Sequence, residues 1–404
     1  MKEINIDVQG VGPKNGPRNP DLRRFLLSIA RDQVSVQHRT RLPERPSDAA
    51  SLLLSRREEI AAGVRSGALT ANVLDSFDQM LRSTTVGPSV QQVYQGTRIA
   101  FTEAMLGMTT DPISDIAMFT QSNGSSEKLR LGGDIPEMEK WAGGEREFAT
   151  LANAEFEIVN EKFATGITMS EDDIEDDRLG MYAPQIAQLG ENAAAFPSRY
   201  IGYHLLNGFA GNLFPERKLG TGVGYTGAQF FSASHSMFGG PAQSNLVGAL
   251  ALNEANLQIA DLKLQAMRTW KGDRLLDMKG STLIVGPKQE KAAIELIKSL
   301  WLINAAGTAN RDNVFWNGRY TVMVSRRIEI GSPQENWWFL ADLTRPAFKP
   351  IIFQSRRPPR TRTPNGPDSE PLLQSGQLRF AVDARAGLGF FEPRCIVGAN
   401  PVSG

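Results

Sequence analysis

The chain reads as an α+β fold on three observations. A long helix runs from Tyr182 to Leu206, started by Pro184 near its first turn and stopped by Gly208. Strand-like stretches occur at Ser281–Val285, Tyr320–Val324, Trp338–Leu340, Pro350–Phe353 and Gln377–Ala384. Two alternating stretches, Lys128–Leu131 and Ala154–Phe163, flank a polar, Gly-bearing turn and read as a two-stranded protrusion. An isolated hairpin is marginal in water. This one is too polar to hold a core of its own, so it is expected to pack on another chain.

Toward the N-terminus, residues 1–20 are rich in Gly, Pro and Asn and read as an extended arm. Asp21–Val36 is amphipathic through Leu22, Phe25, Leu26, Ile29 and Ala30, and Pro43 and Pro46 break any continuation of that helix. Ser47 caps a helix through Leu52, Leu53, Ile60 and Val64 that stops near Gly67, and Thr70–Leu81 sets Val73, Leu74, Phe77 and Met80 on one face. An ordinary helical subdomain and an arm reaching a neighbouring subunit both fit this pattern. A further amphipathic helix is expected over residues 91–110. Gly211–Gly240 reads as a Gly-rich aromatic loop region and Asn253–Thr269 as a helix. Ser281–Val285, Gly286-Pro287 and Lys288–Leu300 form a strand, turn and helix. Residues 355–371 hold five prolines and a glycine and are expected to be an exposed loop.

Composition narrows the function. Lys+Arg and Asp+Glu both number 44, so the formal net charge is zero. A chain made to coat DNA is normally basic, because phosphate neutralisation supplies most of its affinity. The single cysteine, Cys395, excludes an intramolecular disulfide. The first residues lack the apolar core of a signal peptide, and no run of 18 apolar residues occurs.

The candidate chemistry is sparse. Six carboxylates crowd positions 171–177, but Gly180 does not take the place of the central glycine in a calcium loop. Ser170 with Asp173 fits a helix capping box instead. His38, His204 and His235 are the only histidines, and neither H-E-x-x-H nor C-x-x-C occurs. His235 with Ser232 or Ser234 would suit a triad, yet no G-x-S-x-G elbow accompanies it, so a loop-packing histidine is the better reading. Gly220-Thr221-Gly222-Val223-Gly224 and Gly286-Pro287-Lys288 lack the spacing of a phosphate cradle. No catalytic residue, cofactor or metal site is therefore expected. Charge is instead divided: residues 129–180 carry 14 acids against 5 bases, while Arg345, Lys349, Arg356, Arg357, Arg360 and Arg362 gather near the C-terminal loop. Opposite patches on one chain suit head-to-tail contact between copies, DNA backbone contact or plain solvation.

Several strings then match a known family. The run I-T-M-S-E-D-D-I-E-D-D-R-L-G-M-Y-A-P from Ile167, with A-A-A-F-P and L-L-N-G-F after it, resembles the major head subunit of Mu-like phages. So do Y-T-G-A-Q-F-F-S-A-S-H, N-W-W-F-L-A-D-L-T-R-P-A-F-K-P-I-I-F-Q-S-R-R-P-P and L-R-F-A-V-D-A-R-A-G-L-G-F, in the same order over roughly residues 70–395. The resemblance implies the tailed-phage capsid fold of the Hong Kong 97 type (HK97-like). On that plan residues 1–90 are an N-terminal arm or helical extension, 91–124 start the P domain and 125–160 form the E-loop. Residues 161–214 are the P domain with its spine helix, 215–325 the A domain, and 326–404 return strands to the P domain with the loop 355–371. The implied role is a shell subunit, not an enzyme: pentamers and hexamers of one chain in an icosahedral head. The shell would touch double-stranded DNA weakly and non-specifically, with portal, scaffold or decoration proteins as further partners and no membrane. Its place would be the virion, after synthesis in the host bacterial cytoplasm. Contacts between subunits are expected to set Glu137, Glu139, Glu145, Glu147, Asp172, Asp173 and Asp176 against Arg345, Lys349, Arg356, Arg357 and Arg360. The alternatives are an encapsulin-like shell for protein cargo and a hydrolase built on Ser234 and His235.

Overall fold

The computed structural model describes residues 111–132, 134, 153–170, 182–211, 213–214, 222–299, 301–303, 310–313, 316–346, 348–362 and 376–402. The arm and helices expected over 1–110 and the acids Glu137, Glu139, Glu145, Glu147, Asp172, Asp173 and Asp176 lie outside them, so of the expected capping box only Ser170 is described, as the last residue of a strand.

A 3-10 turn, Pro112–Ile116, leads into β1 (Ala117–Gln121). Then come β2 (Ser126–Gly132), β3 (Asn153–Val159), β4 (Glu161–Ser170) and the long helix α1 (Tyr182–Asn207). Next are β5 (Leu246–Gly248), α2 (Glu254–Gln265), β6 (Thr282–Val285) and α3 (Glu290–Lys298). The chain continues through β7 (Trp301–Ile303), β8 (Asn310–Asp312), β9 (Thr321–Val324) and β10 (Trp338–Ala341). It ends with β11 (Ile351–Arg362), β12 (Gln377–Phe390) and β13 (Ile396–Ala399).

The strands form two main sheets. One has the order β1-β11-β12-β4, antiparallel except for the β1–β11 pair. α1 lies along it, and Phe163, Phe196, Tyr200 and Phe353 close the gap with ring centroids 4.8–6.2 Å apart. The other sheet has the order β5-β13-β10-β6-β9. β6 and β10 are buried at every position because both faces are covered, which is why Thr-Leu-Ile-Val and Trp-Phe-Leu-Ala are nearly continuous apolar runs. Alternation divides their side chains. Leu283, Val285, Trp338 and Leu340 meet Leu257, Leu264, Ala293 and Ile297 of α2 and α3. Ile284 and Phe339 turn the other way, into a core shared with Ile201, Leu205, Phe231 and Phe353. The α+β class expected from the sequence is the class observed.

Helix ends obey local chemistry. Asn253 Oδ1 accepts from the Asn256 amide at 2.9 Å and starts α2, one residue after the expected start. α2 ends at Gln265, earlier than expected, because Met267, Arg268 and Thr269 turn back to bond Leu276, Leu275 and Arg274. Pro197 sits inside α1, where it has no N–H to give.

Three expectations are corrected. The loop expected at 355–371 is strand as far as Arg362. β1 covers the far edge of β11 only to Ser355, and toward β12 the register shifts between Arg357 and Arg360. Pro358 and Pro359 sit at that irregularity, where a missing N–H costs least. The strand expected over Ala154–Phe163 breaks at Asn160 into β3 and β4, which join different sheets. The boundary expected at residue 325 does not coincide with the sheet division. β10 and β13 pair with β6 and β5, whereas β11 and β12 pair with β1 and β4, because the apolar centre of the five-stranded sheet needs β10.

Candidate assembly surfaces

The β2–β3 hairpin pairs from Ser126↔Val159 to Gly132↔Asn153. Its root is a polar joint. Asn160, buried, donates from its side chain to Ser122 Oγ at 2.7 Å and to the Gly124 carbonyl at 3.0 Å. It accepts from Gln354 Nε2 at 3.0 Å, while its carbonyl takes Arg385 Nε at 3.3 Å. Glu127 accepts from Ser122 Oγ and from the amides of Asn123 and Gly124. Those bonds, led by the Gly124 amide, hold its carboxyl below the ordinary range. The hairpin then crosses β12 where that strand has no side chains. A Cβ on Gly387 would come within 2.6 Å of the Val159 carbonyl, and one on Gly389 within 2.6 Å of Ile158 Cδ1. The root of the protrusion therefore packs on its own chain, through Ile158 and through Phe156 beside Tyr225 and Phe391.

Beyond Gly132 the chain is tied down again. Asp134 accepts from Arg394 Nη1 at 3.1 and 3.0 Å and from the Trp270 amide. Arg394 is buried, its guanidinium 4.2 Å from the centre of the Trp270 ring. Glu392 grips it on the other side with two bonds of 2.8 and 2.9 Å. Burial alone would lower the Arg394 pKa, but Glu392 and Asp134 outweigh it and push it up. Asp134 begins the acidic segment expected to meet another chain, yet its partner is Arg394 of its own chain; Trp270, Glu392 and Arg394 are not singled out from the sequence.

A second cluster sits at the far end of β11. Asp383, buried, takes Arg357 Nη2 at 2.5 Å, Arg360 Nε at 3.2 Å and Arg362 Nε at 3.1 Å. Desolvation pushes its carboxyl up, but the Arg362, Arg360 and Arg357 side chains outweigh it and the net shift is downward. Of the basic residues expected at subunit contacts, Arg357 and Arg360 are thus engaged by their own chain. Lys349 donates to the Asp115 and Leu343 carbonyls, and Arg345 to the Asp277 carbonyl. Arg356 stays exposed.

His235 is buried and bound. Its Nε2–H points to the Phe230 carbonyl and Asn245 Oδ1, both at 3.1 Å, leaving Nδ1 to accept from Thr226 Oγ1 at 3.0 Å. Ser232 Oγ donates to the Ser234 carbonyl. Neither serine hydroxyl is bonded to the imidazole, so these residues do not form a nucleophile–base pair. Among the described residues no cluster of ligating side chains could hold a metal, and no helix is long and apolar enough to cross a membrane.

The model of the Mu-like prophage major head subunit gpT matches residues 90–250 and 321–399, more than half of the chain. The chain belongs to that family. The match takes in β1 to β5, α1 and β9 to β13 and leaves out α2, β6, α3, β7 and β8. Among curated relatives, the chain is 25% identical over 218 residues to the Mu-like prophage FluMu major head subunit of Haemophilus influenzae, covering 54% of this chain and 62% of that one. It is 31% identical over 143 residues to the major capsid protein of Escherichia phage Mu, covering 35% of this chain and 41% of that one. The chain thus spans less than two thirds of the length of either. Solved structures similar to it include the procapsid of bacteriophage JBD30, with a TM-score of 0.44, 18% identity and 79% and 77% coverage of the two chains. Another is from Mycobacterium phage Adephagia, with a TM-score of 0.44, 16% identity and 73% and 91% coverage.

Proposed function

We propose that this chain is the repeated shell subunit of a phage or prophage head, self-assembling into an icosahedral container for double-stranded DNA. The observation that carries the reading is the family match over two long segments of the chain. On the HK97-like plan α1 is the spine helix, packed on the four-stranded sheet as a P domain. The five-stranded sheet with α2 and α3 is the core of the A domain, and β2–β3 is the base of the E-loop. Pentamers and hexamers are its assembly units, DNA is held weakly inside, and portal, scaffold or decoration proteins are further partners. The virion is its destination after synthesis in the host cytoplasm. No enzymatic activity is ascribed to it, and the bonded state of His235 supports that. Between copies, the acids of 137–147 and 172–176 meet Arg356 and the exposed flanks of Arg360 and Arg362. Such pairs are worth only about 0–1 kcal/mol each, so repetition and low salt would make them count.

The test is to express the full chain and examine it by native mass and negative-stain microscopy. Closed shells containing DNA are expected. Shells filled with protein would favour the cargo-shell alternative, and particles of a few subunits at all concentrations would refute the shell reading.

A further inference from the structure

The hairpin is held at two points on different sheets. At its root, Asn160 and Ile158 sit on β11 and β12. At the far end of its ladder, Asp134 is held by Arg394, which leads into β13, and by Trp270, in the turn after α2. Asp134 and Arg394 are separated by 260 residues in sequence. A strand pair fixed only at its root can swing about that root; a second fixed point at the other end removes the freedom. The second point is made to be rigid. Arg394 has Glu392 on one side, the Trp270 ring on its face and the Arg268 carbonyl at 3.3 Å, so its remaining donor has one direction to point.

We propose that Asp134 is a positioning residue for assembly: its bond to Arg394 and the Trp270 amide fixes the far end of the β2–β3 ladder, and so the direction in which that hairpin is presented to a neighbouring copy. The inference rests on the shell reading above and adds to it the residue that aims the hairpin. Asp134 is well suited to this role because the charge of Arg394 is balanced without it. Glu392 already neutralises Arg394 with two hydrogen bonds, so the Asp134 carboxylate is not needed to keep the guanidinium from being buried alone. A carboxylate surplus to the charge balance yet bound by two donors is an attachment rather than a core element.

The test compares the wild type with Asp134→Asn and Asp134→Ala in the full chain. The unassembled Asn variant should melt within about 1 °C of the wild type, a shift corresponding to roughly 1 kcal/mol or less in a chain of this size. The subunit concentration for half-assembly should rise by about tenfold or more, the loss typical of one charge-assisted hydrogen-bonded pair. Asp134→Glu should recover part of it. Unchanged assembly in both variants would overturn the proposal, and so would a melting temperature that falls in step with assembly, since Asp134 would then be a fold residue. A second measurement does not depend on shells. Spin labels on cysteines placed at the exposed Glu155 of β3 and Gln258 of α2, with native Cys395 fully buried, should give a narrow distance distribution in the wild type and a broad one in Asp134→Asn. Equal widths would overturn the proposal even if the wild type forms no shells, in which case the shell reading fails separately.

Discussion

The chain gathers charge in two places, with opposite stoichiometry. Around Arg394 two carboxylates enclose one guanidinium that is 4% exposed. Around Asp383 three guanidiniums enclose one carboxylate, and they are 30%, 44% and 55% exposed. The first cluster joins the hairpin to the turn after α2 and to the approach to β13. The second joins only β11 to β12, strands that already share a ladder. Desolvation opposes the charged form in both, and in both the counter-charges win. What differs is where the surplus lies. The excess negative charge at Arg394 is buried and used in a tertiary attachment. The excess positive charge at Asp383 faces solvent and remains available to another molecule. The buried guanidinium with Glu392 is therefore expected to govern folding, and the half-exposed cluster the response to salt.

Breaking the buried cluster should cost most. Arg394→Met leaves Glu392 and Asp134 facing an apolar side chain, and removing one partner of a buried pair costs about 3–5 kcal/mol. Urea unfolding should show that loss, or the chain should be recovered mainly as aggregate. Combining it with Glu392→Gln should restore part of the stability, because one uncompensated buried charge is gone. An Arg394→Met variant of full stability would mean that the buried guanidinium is not what holds this corner.

The half-exposed cluster should respond more gently. Asp383→Asn removes the carboxylate that separates three guanidiniums, for about 1–2 kcal/mol once their exposure is allowed for. Raising salt screens the repulsion left behind, so the gap between variant and wild type should narrow in 1 M salt, whereas the Arg394→Met gap should not. Asp383 also fixes a pH window. Its carboxyl is lowered in the native state, so its contribution is complete above the unfolded value of about 3.9 and is lost as pH falls below that through the native value. Urea midpoints of wild type and Asp383→Asn should therefore converge below about pH 4.

What the sequence makes legible depends on the range of each interaction. α1 can be read because its signals are local: Pro184 at the start, Gly208 beyond the end and apolar residues between. β6 and β10 can be read from short apolar runs. β13 escapes notice, since Ile-Val-Gly-Ala is too short to stand out and is defined only by its pairing with β10 and β5. β11 reads too short because Pro358 and Pro359 spell a loop locally, while the bulge that accommodates them is set by β12. Arg357 and Arg360 are recognisable as basic surface, but their partner Asp383 lies across a ladder that sequence spacing does not reveal. The Arg394 cluster has no local signal at all, since its members at 134, 270, 392 and 394 come from three separate regions. The short Glu392–Arg394 spacing beside the one cysteine is its only trace.

The comparison is sharpened by a buried group with no bonded counter-charge. His235 is 2% exposed and held by a hydroxyl, an amide oxygen and a carbonyl, none of them ionised. Here desolvation leads and lowers the imidazole pKa, outweighing the Asn245 and Phe230 bonds and the more distant Glu392. That direction fixes the sign of the linkage. Above the unfolded value of about 6.5 both states hold a neutral ring and the group contributes no slope. Below it the unfolded chain binds a proton that the native chain refuses, so stability falls as pH drops, by up to about 1.4 kcal/mol per pH unit until the native value is reached. Urea midpoints of the unassembled subunit should fall between about pH 7.5 and 5.5. His235→Gln, which keeps a donor and an acceptor without the titration, should lower stability by a constant amount and flatten that part of the profile. Parallel profiles for the two proteins would mean that the ring accepts its proton inside the fold, and that burial without an ionised partner does not decide protonation here.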